Sequence, residues 1–254
     1  MPAVPTLIDK LERLTQLSEL ELDALRSLRT RVIELSPDEV LHRMGDKASH
    51  CFIVLEGIVS SSQPLEGDKR QIMAFFVPGD MPDLRTLHLD VIDCDVRAVS
   101  GGRVGLIDHG ELQALCDRHP RITAALWRSA LEVASVYRQW IVNIGHRSAI
   151  GRLSHLFCEL MTRLEAVGLV RDGGCHLPLT QVHLSQATGL SAVHVNRSLQ
   201  ELRKDGLIVF RNGRLTIPDR EALARRANFR PDYLARPLPQ VCWAEPELQV
   251  RRAW

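Results

Sequence analysis

The segment 191–204 carries the side chains with the clearest chemical purpose. Val193, Arg197, Gln200 and Lys204 recur at steps of 4, 3 and 4, so on a helix they share one face. Ala192, Val195, Leu199 and Leu202, at steps of 3, 4 and 3, take the opposite face and read as the buried row. An outward row with Arg, Gln and Lys offers donors to base edges and phosphates. The Arg fork matches guanine O6 and N7, and a Lys ammonium meets a phosphate oxygen. His194 and Asn196 flank the row, and Ser191 stands where an N-cap belongs. Alone, the row would equally fit the solvated face of an ordinary helical domain, so its neighbours decide.

Upstream, Thr180 reads as the N-cap of a two-turn helix, Gln181 to Thr188, with Leu184 and Ala187 inward. Gly189 supplies a turn, Leu190 plugs the angle between two helices, and Gly206 ends the second. Helix, short Gly-containing turn, helix is the helix-turn-helix layout, whose second helix enters a major groove. Downstream, Leu207–Phe210 and Arg214–Ile217 flank Arg211-Asn212-Gly213, which reads as a β-hairpin, hence a wing. Lys204, Arg211 and Arg214 are expected on phosphates, each carrying about one unit of salt slope.

Charge follows the same division. Residues 1–120 hold 13 Lys and Arg against 20 Asp and Glu, whereas residues 171–230 hold 10 against 5. A polyanion is therefore expected at the back half alone. No apolar run is long enough to span a membrane, and the start lacks the pattern of a secretory signal. The six cysteines show no CxxC spacing and read as reduced thiols of a cytoplasmic protein. There is no GxSxG, P-loop or HExxH, so no enzyme is indicated. No metal and no cofactor is assigned. His88 with Asp90, and Asp93-Cys94-Asp95, lack diagnostic ligand spacing.

The remaining elements set the frame. Residues 6–28 have helical leucine spacing; from Arg31 to Ile107 short apolar runs alternate with turn signals such as Pro78-Gly79-Asp80, as in a sandwich or barrel. Strands followed by helices make an α+β chain. After Pro120, Leu126, Ala130, Val133, Tyr137, Trp140 and Ile144 fall at steps of 4, 3, 4, 3 and 4. That heptad seam is expected to face a partner helix in a homodimer, with Tyr137 and Trp140 exposed in the monomer. A second helix carries Ile150, Leu153, Phe157, Leu160, Leu164 and Val167, with Gly145 to Ser148 as a hinge between. Gly168 and Gly173-Gly174 read as breakers after it. The expected divisions are 1–120, a sensor-like domain; 121–146, the dimerisation helix; 147–230, the DNA-binding domain; and 231–254, an extended or disordered tail.

The stretch Leu190-Ser191-Ala192-Val193-His194-Val195-Asn196-Arg197-Ser198-Leu199-Gln200 resembles the recognition helix of the CRP/FNR family of bacterial regulators, in its rhizobial-type branch. Arg70 to Phe75 leading into Pro78-Gly79-Asp80, and Asn143 to Ala149, resemble the same family. The resemblance covers residues 10–230 and implies an N-terminal β-roll of the cyclic-nucleotide-binding, jelly-roll kind, a long dimerisation helix and a C-terminal winged helix-turn-helix. It implies a transcriptional regulator that binds double-stranded DNA as a homodimer on a palindromic site, with RNA polymerase as a partner. Family members commonly carry Glu and Arg where this chain has Val193 and Arg197.

The sequence departs from the family where ligands would bind. Gly79-Asp80-Met81-Pro82 lacks the Gly-Glu pair of cyclic-nucleotide binders, and Asp93-Cys94-Asp95 puts carboxylates where the phosphate would lie, with Arg97 nearby. No cysteine precedes Cys51, against an iron–sulfur cluster of the oxygen-sensing type; ten histidines leave haem open. The effector is left open, and the alternative reading is a nucleotide-like small-molecule sensor whose DNA binding is ligand-controlled.

Overall fold

A computed structural model describes residues 4–67, 69–89 and 91–234. The chain opens with α1 (Pro5–Leu14) and α2 (Glu19–Arg26). The single helical stretch expected over 6–28 is broken because Ser18 starts a new helix. Its Oγ accepts the Glu21 N–H, while Glu21 Oε2 accepts the Ser18 N–H at 2.8 Å.

Seven strands follow: β1 (Arg31–Leu35), β2 (Val40–His42), β3 (His50–Glu56), β4 (Val59–Pro64), β5 (Arg70–Phe76), β6 (Asp95–Ala98) and β7 (Gly102–Asp108). They form two antiparallel sheets, ordered β1-β7-β3 and β2-β6-β4-β5. The facing interiors bury Phe52, Val54, Ile72, Phe75, Val96 and Val104. This is the roll expected from the short runs. Asp108 then caps α3 (His109–Arg118), a helix the apolar spacing did not reveal.

α4 (Pro120–His146) is one long helix and α5 (Ala149–Ala166) follows after a break at Arg147 and Ser148. The seam read on α4 proves to be divided. Trp140 is 3% exposed: its ring meets Phe75 edge-on, and its Nε1 donates to Glu159 on α5 at 3.1 Å. Leu126 is buried under α1 and α3, and Tyr137 shares a hydrogen bond with Ser61 of β4 at 3.2 Å. Val133 and Ile144 are half-buried and Ala130 is exposed. The expected exposure of Trp140 is therefore corrected, since that row packs inward on the roll. The apolar side chains α4 leaves bare stand further round: Trp127 at 60%, Leu131 at 55%, Ile141 at 72% and Val142 at 47% exposed.

The back half contains β8 (Val170–Arg171), β9 (Gly174–His176), α6 (Gln181–Thr188), α7 (Ala192–Lys204), β10 (Val209–Arg211), β11 (Arg214–Thr216) and α8 (Arg220–Ala227). Its sheet runs β10-β11-β9-β8. Of the glycines read as breakers, Gly168 does end α5, with φ 71° and the Leu169 N–H on the Leu164 carbonyl at 2.9 Å, whereas Gly173 closes the β8–β9 hairpin: Asp172 and Gly173 both have positive φ, 51° and 68°. Pro231–Tyr233 forms a 3-10 turn packed on α5, so the expected tail begins later than 231; residues 235–254 of that call lie outside the described residues. One apolar core runs from the roll through Val136 and Trp140 into Leu156, Leu199 and Leu215. Among the described residues no helix is long and apolar enough to cross a membrane.

Candidate nucleic-acid interface

Both helices of the helix-turn-helix start as their sequence directs. Thr180 Oγ1 accepts the His183 N–H at 3.2 Å, and His183 Nδ1 accepts the Thr180 N–H in return. Ser191 Oγ accepts the His194 N–H at 3.3 Å and lies 2.8 Å from His194 Nδ1. Between them Gly189 turns the chain with φ +65°, a conformation that favours a residue without Cβ. Ser185 Oγ donates to the Leu190 carbonyl, which pins the turn from inside.

On α7 the inward row is Val195, Ser198, Leu199 and Leu202, all buried. Ala192, expected inward, is exposed, because the first turn of α7 projects beyond the packed core. Ser191, Val193, His194, Asn196, Arg197, Gln200 and Lys204 are all exposed, Val193 at 76%. An apolar side chain that bare, on a helix whose other face is fully packed, suits a surface that another molecule covers.

The wing stands beside this row. Asn212 and Gly213, both with positive φ, form the two-residue turn between β10 and β11, and Arg211 and Arg214 flank it, exposed. Arg203 on α7 donates to the Phe210 carbonyl at 2.8 Å, which ties the wing to the helix. Arg214 Nη2 donates to the Arg171 carbonyl at 3.1 Å, which leaves the rest of its fork outward.

Side chains from outside the motif hold its turn, and the outward-row reasoning missed them. Gln71 Nε2 on β5 donates to the Gln186 carbonyl at 2.7 Å, and Arg70 Nε meets the Gln186 side chain at 3.0 Å. Arg152 on α5 donates to the Thr188 carbonyl at 3.0 Å. The last carbonyls of α6 thus receive donors from the roll and from α5, where the helix dipole favours them. The available signal was the Arg70-Gln71 motif itself, whose role needed the fold to emerge.

In the roll, the segment where family ligands would bind is internally paired. Arg85 Nη2 lies 2.5 Å from Asp93 Oδ1 and 2.9 Å from Cys94 Sγ, and Arg97 pairs with Asp95 at 3.1 Å. Burial raises the Cys94 thiol, and Arg85 offsets this only in part. Cys158 is pushed up to about 12 by burial, which fits inert packing. Among the described residues, five cysteines are unpaired and no His, Cys, Asp and Glu cluster could hold a metal. Asp90, half of one weak ligand pair, lies outside the described residues.

Comparison with known proteins agrees with this geometry. Residues 32–119 match the cyclic nucleotide-binding domain and residues 151–226 the Crp-like helix-turn-helix domain. The chain is 24% identical over 179 residues to the transcriptional activator protein FnrL of Cereibacter sphaeroides, covering 68% of this chain and 70% of that protein. It is 26% identical over 181 residues to the nitrogen fixation regulation protein FixK of Azorhizobium caulinodans, covering 70% and 71%. The structure of FixK2 from Bradyrhizobium japonicum shares the fold with a TM-score of 0.71 at 22% identity, over 78% of this chain and 97% of that one. The roll in front, the reader behind and relatives that are themselves regulators carry one conclusion: the chain belongs to the CRP/FNR family and is a DNA-binding transcriptional regulator.

Proposed function

We propose that the protein acts as a homodimer on a palindromic duplex, with Arg197 reading a guanine in each half-site. The observation that carries this is the fully outward row of α7 beside two wing arginines, set on an apolar core. Arg197 is exposed, and the guanidinium fork fits O6 and N7 of guanine. Val193, four residues before it, cannot accept a hydrogen bond from cytosine; its branched methyls fit against a thymine methyl. Asn196 and His194 reach neighbouring edges, and Lys204, Arg211 and Arg214 reach phosphates. The apolar stripe bare on α4 at Trp127, Leu131 and Ile141 supports the dimer, with Val133 and Ile144 at its margin. RNA polymerase is the expected protein partner and the cytoplasm the expected location. The roll senses an effector other than cyclic AMP, or none, since Asp93 and Asp95 already occupy Arg85 and Arg97.

Selection from random duplexes tests the reading. Wild type should yield an inverted repeat with half-site centres about 10–11 base pairs apart and one strongly required guanine per half. Arg197→Ala should lose that guanine at a cost of roughly 1–3 kcal/mol. Val193→Glu should change the preference beside it. A wild-type site that survives Arg197→Ala unchanged would show that α7 is not the reader.

A further inference from the structure

Five ionisable side chains, Lys10, Asp80, Glu159 and Arg163 buried and Glu132 partly buried, meet where α1, the turn after β5, α4 and α5 converge. Gly79 lets that turn approach α1: it has φ +92°, and a Cβ there would come 2.7 Å from the Thr6 carbonyl oxygen. The approach delivers Asp80, 3% exposed, to Lys10 and Arg163, 7% and 8% exposed. Lys10 Nζ meets Asp80 Oδ1 and lies 3.4 Å from Glu132 on α4. Arg163 on α5 donates from Nη2 to Asp80 Oδ2 at 2.7 Å and sets Nη1 3.5 Å from Glu159. Glu159, fully buried, accepts from Trp140 Nε1 on α4 and, at 2.7 Å, from the Tyr233 hydroxyl of the C-terminal turn.

The participants come from α1, the turn after β5, α4, α5 and the C-terminal turn, so the network joins roll, long helix and reader at one point. Burial by itself would raise the Asp80 carboxyl, but Lys10 and Arg163 outweigh it and keep the group ionised. A network of this kind adds little net stability over well-packed apolar residues. It does demand one geometry, because a guanidinium fork tolerates its two carboxylates only in a fixed place.

We infer that Asp80 and Arg163 are positioning residues for DNA recognition: their buried pair sets the pose of the reader on the roll and α4, and so the separation of the two recognition helices. The inference rests on the homodimer reading above. Neither residue belongs to the outward surface of α7 or the wing, so losing the pair leaves each reader's own contacts intact. What it removes is the alignment that turns binding of the second half-site into an intramolecular event.

The experiment measures affinity of the full-length protein for the selected duplex, for the same duplex with its half-sites moved apart by a few base pairs, and for one half-site alone. Wild type should prefer the selected spacing. Asp80→Asn should bind the selected spacing at least about tenfold more weakly, discriminate little between spacings, and bind the half-site within about twofold of wild type. Where Asp80→Asn does not fold, Arg163→Lys carries the test, since it keeps the charge and loses the fork; it should weaken the spacing preference in the same way. Folded variants that keep the wild-type spacing preference would overturn the inference, as would an equal loss on full and half sites. A wild type that binds full and half sites alike would overturn the homodimer reading and this inference with it, a result distinct from the other two.

Discussion

His155 shows how a single buried side chain ties stability to pH. It is 1% exposed, stacked on Tyr233 with ring centroids 6.0 Å apart and met edge-on by Phe229 at 5.2 Å. Neither ring nitrogen has a hydrogen-bond partner among the described residues. Burial first, and the Arg147 charge second, push it down to about 3 from an ordinary 6.5. Below pH 6.5 the unfolded chain therefore binds a proton that the folded chain refuses, and stability falls as pH drops toward 3. The slope from this residue approaches about 1.4 kcal/mol per pH unit below pH 6. His155→Phe keeps an aromatic ring in the stack and removes the titration. Urea unfolding at pH 6.5 and 5 should show a clearly smaller pH loss for the variant. Equal losses in the two proteins would mean that His155 is protonated in the fold.

At the scale of elements, α4 serves two surfaces, and periodicity by itself does not say which row faces which. The row Leu126, Val133, Tyr137 and Trp140 is regular because it packs inward, on α1 and α3 at one end and on the roll and α5 at the other, while Trp127, Leu131 and Ile141 form a second apolar row left bare. The two rows should respond differently to substitution. Leu131→Glu with Ile141→Glu should shift sedimentation toward monomer and leave the fold in place. Trp140→Ala should leave the dimer but cost about 3–5 kcal/mol of stability through the cavity it opens. A double variant that sediments as dimer would put the subunit contact elsewhere. The elements that were legible in the sequence owe it to strong local signals. Thr180, Gly189, Ser191 and Gly206 punctuate α6 and α7, and Asn212-Gly213 marks the wing. The Asp172-Gly173 hairpin carried a similar signal but sat among glycines that read equally well as helix breakers. α3 and α8 were missed because eight to ten residues show few turns of periodicity. The hold on the helix-turn-helix was illegible for another reason: Gln71 and Gln186 lie 115 positions apart, and Asp80 and Arg163 lie 83 apart. Only folding brings such pairs together.

For the whole molecule, the division of charge determines how salt acts on binding. The acidic front half, with 20 carboxylates against 13 cations, is the part of the chain that holds the roll and its flanking helices, while the basic excess falls in residues 171–230, the part that holds the reader and wing. At physiological ionic strength charges are screened over about 8 Å, so the roll's acidity does not cancel the field at the reader surface. Each phosphate neutralised releases condensed counterions and contributes about 0.9 to the slope of log affinity against log salt. A substitution in a homodimer is present twice on a palindromic duplex. Lys204→Gln, Arg211→Gln and Arg214→Gln should therefore each lower the slope by about two on the full site and by about one on an isolated half-site. The loss should be nearly the same on unrelated sequences, because phosphates carry no base identity. Titrations at several salt concentrations on both duplexes measure this directly. A drop of about one on both would mean that a single reader engages the full site. A loss confined to one base position would move that residue from the backbone to the groove.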